Sequence, residues 1–330
     1  MIPAPEPASL LDGQGRHITY LRLSLTDRCN FHCSYCAPAA REGRGPLMSR
    51  EEIRRLVAIF ARLGIRRVRL TGGEPTLRRD LLGVVSDVRA TPGIEEVALT
   101  TNGHLLQDLA RPLAQAGVSR LNVSLDTLDP ARLRRLAGPK ATLERITRGL
   151  LEASHAGFAS LKTNAVVVRG ENHDELGDLA RFAWRHGATA RFIELMPFGP
   201  GEPVPVAEML SLLEAQGVRL APDQTRGWGP ARHMRGESEA GGEGLSGLVG
   251  FIGAMTENFC ESCNRVRVGA DGSLRACLGG RERVALLHLA RNGAGDAALA
   301  AAIREALLRK GERHALAQAP PGASMIGIGG

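Results

Sequence analysis

Thr26-Asp27-Arg28-Cys29-Asn30-Phe31-His32-Cys33-Ser34-Tyr35-Cys36 sets three cysteines at the spacing C-x3-C-x2-C, directly after a short apolar run, Tyr20 to Leu25. Thiolates this numerous and this close select a soft metal centre. Structural zinc is closed and tetrahedral and needs a fourth protein ligand. His32 lies between two of the cysteines, where geometry suits it poorly. A [4Fe-4S] cubane can instead be held by three thiolates if one iron stays open. An open iron is a reaction site, so the rest of the chain has to supply what sits on it and what that partner attacks.

The 330 residues carry 42 Lys and Arg against 35 Asp and Glu, a net charge of +7. Nearly all of the positive charge is arginine; the only lysines are Lys140, Lys162 and Lys310. An Arg-biased genome accounts for most of that excess. The remainder points to a polyanionic substrate, since arginine forks match phosphate oxygens. An aromatic fraction of 4% argues against a surface that stacks nucleic-acid bases, so no nucleic-acid partner is expected. The N-terminus lacks the basic start and apolar run of a signal peptide. No stretch is long enough to span a membrane. A cytoplasmic location follows as the expectation, and there clustered cysteines read as metal ligands rather than disulfides.

Residues 1–16, rich in Pro, Gly and Ala, read as a flexible arm. Six strand–helix alternations follow, with strands expected over 20–25, 66–70, 95–99, 120–124, 161–168 and 191–195. Ser49 and Glu52 form a capping-box signature for the first helix, which Gly64 ends. Repeated βα units imply parallel strands with right-handed crossovers. A doubly wound sheet binds at one switch point, whereas a barrel gathers every βα loop around one mouth. Each of the six strands ends in a distinctive polar segment, which favours an α/β fold of the TIM-barrel type, incomplete at (βα)6. The expected division is a partial barrel over 17–225 and a C-terminal iron–sulfur region over 226–330 that closes its mouth. Between Pro222 and Gly250 the composition shifts to Gly, Glu, Ser and Arg, as in a flexible connection.

The first triplet, placed after the first strand, resembles the signature of the radical S-adenosylmethionine (SAM) superfamily. The resemblance implies three thiolates on a [4Fe-4S] cluster whose open iron chelates S-adenosylmethionine, the source of a 5′-deoxyadenosyl radical. Gly72-Gly73-Glu74-Pro75, following the second strand, agrees with it. Gly73 there meets the methionine moiety, and Tyr35 matches the position whose backbone contacts adenine. Ser124 and Met196 match further cofactor-lining positions; by itself Met196 reads equally well as core packing.

Cys260, Cys263 and Cys277 follow the pattern C-x2-C-x13-C, within Phe259-Cys260-Glu261-Ser262-Cys263-Asn264-Arg265-Val266-Arg267 and beyond. The second C-x2-C pair of a zinc ribbon is missing, and His288 is a distant substitute. A second [4Fe-4S] cluster with an open iron, available to substrate, is the better reading. Arg265 and Arg267 alternate, so on a strand they share a face beside it.

With this second group the chain resembles, over nearly its whole length, the GTP 3′,8-cyclase family, which begins molybdenum cofactor biosynthesis. The matching segments are Tyr20–Cys29, Arg69–Pro75, Thr100–Gly103, Asn122–Asp126, Lys162–Val166, Phe192–Met196 and Phe259–Arg267. The resemblance implies that the adenosyl radical removes the ribose 3′ hydrogen of GTP. The ribose carbon radical then adds to C8 of guanine, and an electron and a proton complete the product, 3′,8-cyclo-7,8-dihydro-GTP. It assigns GTP contacts to Arg22, Arg69, Thr100, Lys162, Arg265, Val266 and Arg267, with Arg191 less obviously at the mouth because it begins its strand. It gives Gly329 and Gly330 an active-site role. It implies a reductant such as flavodoxin or ferredoxin, a downstream cyclic pyranopterin monophosphate synthase, and a homodimer. The chain departs from the family in Ala37 after Cys36, in the extra glycine of Ile326-Gly327-Ile328-Gly329-Gly330, and in a longer 235–247 stretch. A two-cluster peptide maturase would carry more cysteines. A non-catalytic electron carrier prefers four thiolates per cluster.

Overall fold

The computed structural model describes residues 9–36, 47–224, 227, 229–242, 244–314, 316 and 325. Six strands lie side by side in sequence order and all parallel: β1 (Tyr20–Ser24), β2 (Arg67–Thr71), β3 (Glu96–Thr101), β4 (Arg120–Ser124), β5 (Ser160–Val167) and β6 (Thr189–Glu194). Between them run α1 (Arg50–Leu63), α2 (Leu81–Ala90), α3 (Leu106–Ala116), α4 (Pro130–Ala137), α5 (Leu143–His155) and α6 (Leu176–Arg185), with α7 (Val206–Ala215) after β6 and α8 (Leu286–Arg291) and α9 (Asp296–Leu308) in the C-terminal region. The capping box forms as its residues dictate. The Ser49 hydroxyl accepts the Glu52 N–H at 3.2 Å and the Glu52 carboxylate accepts the Ser49 N–H at 2.7 Å. Gly64, at φ 113°, ends α1 in the left-handed conformation that disfavours a side chain.

The parallel run is longer than the six strands expected. β9 (Leu245–Ile252) joins β6 in parallel and β10 (Arg265–Val268) joins β1 in parallel, making eight. Antiparallel strands continue both edges. Outside β9 lie β8 (Arg232–Ser238) and β7 (Arg219–Pro222); outside β10 lie β11 (Ser273–Arg275) and β12 (Val284–Ala285). The order is β12-β11-β10-β1-β2-β3-β4-β5-β6-β9-β8-β7, an open barrel rather than a closed one. The C-terminal region therefore extends both edges of the sheet as well as facing its mouth.

Two expectations are corrected here. Among its described residues, the stretch between Pro222 and Gly250 forms paired strands, β8 and β9, rather than a flexible connection. Its glycines serve close packing: a Cβ on Gly236 would lie 2.6 Å from the Trp184 ring, and one on Gly247 would lie 2.3 Å from it. The arm is also not loose along its whole length. Leu10 and Asp12 are each 3% exposed. Ile18 N–H donates to the Leu10 carbonyl at 2.8 Å, and Gly13 N–H to Leu307 at 3.2 Å, on α9 (Asp296–Leu308). Residues 1–8 lie outside the described residues.

One hydrophobic core, including Leu21, Val68, Leu99, Phe192, Phe251, Val266, Leu299 and Ile303, runs through both expected regions. The expected division falls on residues outside the described ones, and the strands flanking it, β7 and β8, pair with each other. No helix among the described residues is long and apolar enough to cross a membrane.

Candidate functional site

A cavity of 320 Å³ lies among the C-terminal ends of the parallel strands, and both cysteine triplets line it. Strand-end residues Thr100, Ser124, Val166 and Glu194 form its floor and walls, as the barrel rule requires. Ile252 on β9 and Arg267 on β10 also line it, so the open sheet curves around this space.

The first cysteine loop is braced from three sides. Gly73 N–H donates to the Thr26 carbonyl at 2.7 Å and Glu74 N–H to Arg28 at 2.7 Å. A Cβ on Gly72 would meet Thr26 O at 2.4 Å, and one on Gly73 would meet Arg28 O at 2.2 Å. These glycines thus let the second loop lie directly on the first. From α4, the Ala137 and Leu136 carbonyls accept the His32 and Ser34 N–H groups at 2.8 and 2.9 Å. The buried Glu74 carboxylate accepts the Thr76 N–H, the Thr101 hydroxyl and the Asn102 N–H at 3.0, 2.7 and 2.7 Å. Asn102 in turn donates to Asn30 at 2.8 Å.

Beside this loop the Tyr35 hydroxyl donates to Asp126 at 2.6 Å. Burial pushes the Asp126 carboxyl up to about 6. Burial, then Asp126 and Cys36, raise the Cys33 thiol well above its ordinary value. None of the six cysteines is disulfide-bonded. Among the described residues no three His, Cys, Asp or Glu side chains converge tightly enough to hold a single ion. A cubane takes one thiolate on each of three irons, so a triplet of cysteines fits that group, whereas tetrahedral zinc needs a fourth donor.

Arginines fill the opposite wall. Arg22 on β1 is in register with Arg267 on β10 and with Arg69 on β2, so three guanidinium groups stand in one row. Arg69 is aimed by Tyr20, whose hydroxyl accepts its Nε at 2.6 Å, and by Thr100 at 3.0 Å. Arg191 donates to Asn164 at 2.9 Å. Arg265 lies 4.8 Å over the Phe259 ring. Burial, then Arg267 and Arg69, lower Arg22 well below its ordinary value. Burial and Arg69 bring Arg191 to about 9; burial and Arg265 bring Arg267 to about 10. Arginine keeps its proton in proteins. These shifts express the cost of crowding cations away from water, which a polyanion relieves. The Asn122 Oδ1, buried and without a hydrogen-bond partner among the described residues, lines the same space and suits a polar ligand.

The second cysteine loop is hung from β6. Glu194 is 1% exposed and its carboxylate accepts the Val206, Met255 and Thr256 N–H groups at 3.1, 2.7 and 3.0 Å. It accepts the Thr256 hydroxyl as well. Burial pushes the Cys263 thiol up, but Arg265 and Lys310 outweigh it and bring it down to about 7.

The cavity brings together Cys29, Cys33, Cys36, Cys260, Cys263 and Cys277 with Tyr35, Gly73, Ser124, Met196, Arg22, Arg69, Thr100, Arg265 and Arg267. Arg191 lines it too, because β6 begins at Thr189 and carries this side chain inward. Two of the expected contact residues, Val266 and Lys162, do not line it. The Val266 side chain is fully buried in the core, since period-two alternation turns it away from the face of Arg265 and Arg267. Lys162 sits on β5 below Asn164 and Val166, which line the cavity, while it does not. Burial, then Arg191 and Arg120, lower its ammonium to about 7. Gly329 and Gly330 lie outside the described residues. Glu194, Asn164 and Asp126, each within a motif quoted above, also line the cavity. No quoted motif contains His314, which lines the cavity and contacts the Ala254 carbonyl at 2.8 Å.

Comparison with known proteins agrees with this geometry. Residues 23–183 match the family described as the radical SAM superfamily, and residues 188–316 match Molybdenum Cofactor Synthesis C. The chain is 41% identical over 312 residues to GTP 3′,8-cyclase 1 of Pseudomonas aeruginosa, covering 92% of this chain and 93% of that one. It is 42% identical over 318 residues to GTP 3′,8-cyclase of Heliobacterium modesticaldum, covering 92% and 94%. Among solved structures, Streptococcus suis SuiB bound to S-adenosylmethionine superposes with a TM-score of 0.61 at 17% identity, over 88% of this chain and 69% of that one, a likeness of fold.

Proposed function

The chain belongs to the GTP 3′,8-cyclase family of the radical SAM superfamily, and from that premise we propose that it converts GTP to 3′,8-cyclo-7,8-dihydro-GTP, the first step of molybdenum cofactor biosynthesis. The observation that carries this reading is the meeting of two three-cysteine loops and a row of arginines on one cavity.

Cys29, Cys33 and Cys36 would hold one [4Fe-4S] cluster and Cys260, Cys263 and Cys277 the other; the first would supply the electron that cleaves bound S-adenosylmethionine, whose 5′-deoxyadenosyl fragment would take the ribose 3′ hydrogen. Tyr35, Gly73, Ser124 and Met196 would contact S-adenosylmethionine, and Asp126 orients Tyr35. Arg22, Arg69, Arg265 and Arg267, with Arg191 and Thr100, would grip GTP, the guanidinium row meeting the triphosphate through charge-assisted hydrogen bonds. Lys162, one layer deeper, would take up its proton as the triphosphate enters and add positive potential there. Glu74 and Glu194 hold the two cysteine loops at fixed separation, which positions the ribose relative to the radical source. Gly329 and Gly330 are proposed to complete the site. Reduction by an acidic electron carrier such as flavodoxin or ferredoxin, delivery to a cyclic pyranopterin monophosphate synthase, a homodimer and a cytoplasmic location complete the proposal.

The test is anaerobic reconstitution with iron and sulfide, followed by GTP, S-adenosylmethionine and dithionite. Cyclised product and 5′-deoxyadenosine in equal amounts are expected. Deoxyadenosine without cyclised product would keep the superfamily chemistry and remove GTP as the substrate.

A further inference from the structure

We propose that Lys310, held in place by Asp12 and Arg16, is a buried cation that, beside Arg265, holds and electronically tunes the second iron–sulfur cluster through its contact with Cys263. Lys310 Nζ donates to Cys263 Sγ at 3.5 Å and to the Arg265 carbonyl at 2.8 Å. Its side chain is 2% exposed, and Asp12 Oδ2 lies 3.8 Å away with a side chain that is fully buried. Arg16 fastens Asp12 in turn, with Nε 2.7 Å from Asp12 Oδ2. It also reaches the same cysteine loop, its Nη1 donating to the Cys260 carbonyl at 2.8 Å. Its Nη2 donates to the Gly311 carbonyl at 2.8 Å, next to Lys310 itself.

The three residues therefore form one network against the Cys260–Cys263 loop, and none of them lines the cavity. A lysine so deeply buried is uncommon without a partner of opposite charge. Asp12 is that partner in part, but its distance is longer than a hydrogen bond, and Arg16 already claims the same carboxylate oxygen. The nearer contact is the cysteine sulfur. A cubane on three thiolates is a buried anion whose negative charge increases when it takes up an electron. Hydrogen bonds to cluster sulfurs and fixed nearby charges set its reduction potential. A rigid ammonium at Cys263 Sγ stabilises the reduced form and so raises the potential of this cluster. Arginine in place of Lys310 would keep the charge; methionine would keep the length and lose both charge and donor.

This inference rests on the reading that Cys260, Cys263 and Cys277 hold a cluster, and the experiment separates the two. Iron content and EPR-monitored redox titration of the anaerobically reconstituted wild-type protein establish whether the second cluster is present; its absence would sink that reading. With it present, Lys310→Met is expected to shift the midpoint of the second cluster to lower potential and leave the first unchanged, while Lys310→Arg stays near wild type. An unshifted midpoint in a fully loaded Lys310→Met protein overturns the proposal. Should Lys310→Met fail to retain the second cluster, retention in Lys310→Arg supports a requirement for charge. Equal loss in both variants, with the first cluster intact, assigns Lys310 to packing alone and overturns it.

Discussion

Arg22 and Arg267 stand abreast on neighbouring parallel strands, β1 and β10, although they come from opposite ends of the chain. Adjacent strands lie about 4.8 Å apart, so the two guanidinium stems start at that spacing and Arg69 takes the next place in the row. Such a row is costly without an anion and well matched to successive phosphates. Arg22→Ala and Arg267→Ala should each remove a charge-assisted contact of roughly 1.5–3 kcal/mol. That corresponds to about ten- to a hundredfold weaker GTP binding, measured by anaerobic titration calorimetry. Binding within twofold of wild type in both variants would exclude the row from the GTP site.

Cys277→Ala removes one thiolate of the second triplet, far in sequence from the first. Cyclised product should vanish while the first cluster keeps its iron and its spectrum changes on adding S-adenosylmethionine. Iron analysis, EPR and product chromatography read these separately. Cyclisation at the wild-type rate would end any role for the second cluster in binding substrate.

Gly247 packs on Trp184, whereas Gly244 in the same hairpin has open space where a Cβ would stand. Gly247→Ala forces overpacking against an indole and should cost about 1–3 kcal/mol, seen as a drop of several degrees in Tm. Gly244→Ala should be close to neutral. Equal Tm values for the two variants would restore the flexible-connection reading of this stretch.

Lys162 has a folded-state value of about 7, below the ordinary lysine value, because burial and then Arg191 and Arg120 oppose its charge. Between these values the unfolded chain holds a proton that the folded protein does not, so stability rises with pH through this window and falls back as pH drops toward 7. The contribution is on the order of 1–3 kcal/mol after allowing for partial solvent access. Lys162→Met should flatten the rise in Tm between pH 7 and pH 10 relative to wild type, in cluster-loaded protein under anaerobic conditions. Parallel Tm curves for the two proteins would count against it.

The readable parts of the sequence are those where a local rule suffices. Helix α1 announces itself through Ser49, Glu52 and Gly64 because a capping box and a left-handed glycine are settled within one turn. The six central strands show as apolar runs ending in polar residues, since a buried parallel strand needs nothing beyond its own composition. The hairpin of β7, β8 and β9 was unreadable for the opposite reason. Gly236 and Gly247 look like flexibility in one dimension, and only Trp184, brought from α6, shows that they are spaces kept for an indole. Val266 was assigned with its neighbours by resemblance, yet strand alternation puts its side chain in the core.

The sequence by itself determined the chemistry of the donors. Six cysteines in two triplets, an arginine-dominated charge and a strand–helix alternation are properties of residue type and spacing. Tertiary structure decided which of them meet. The pairing of β10 with β1 sets Arg267 beside Arg22, and the curl of the open sheet brings Cys29 and Cys277 to one cavity. The packing of the N-terminal segment on the end of α9 puts Asp12 and Arg16 behind Cys263. Each of these depends on contacts between residues far apart in the chain, whose cost and benefit no local window contains.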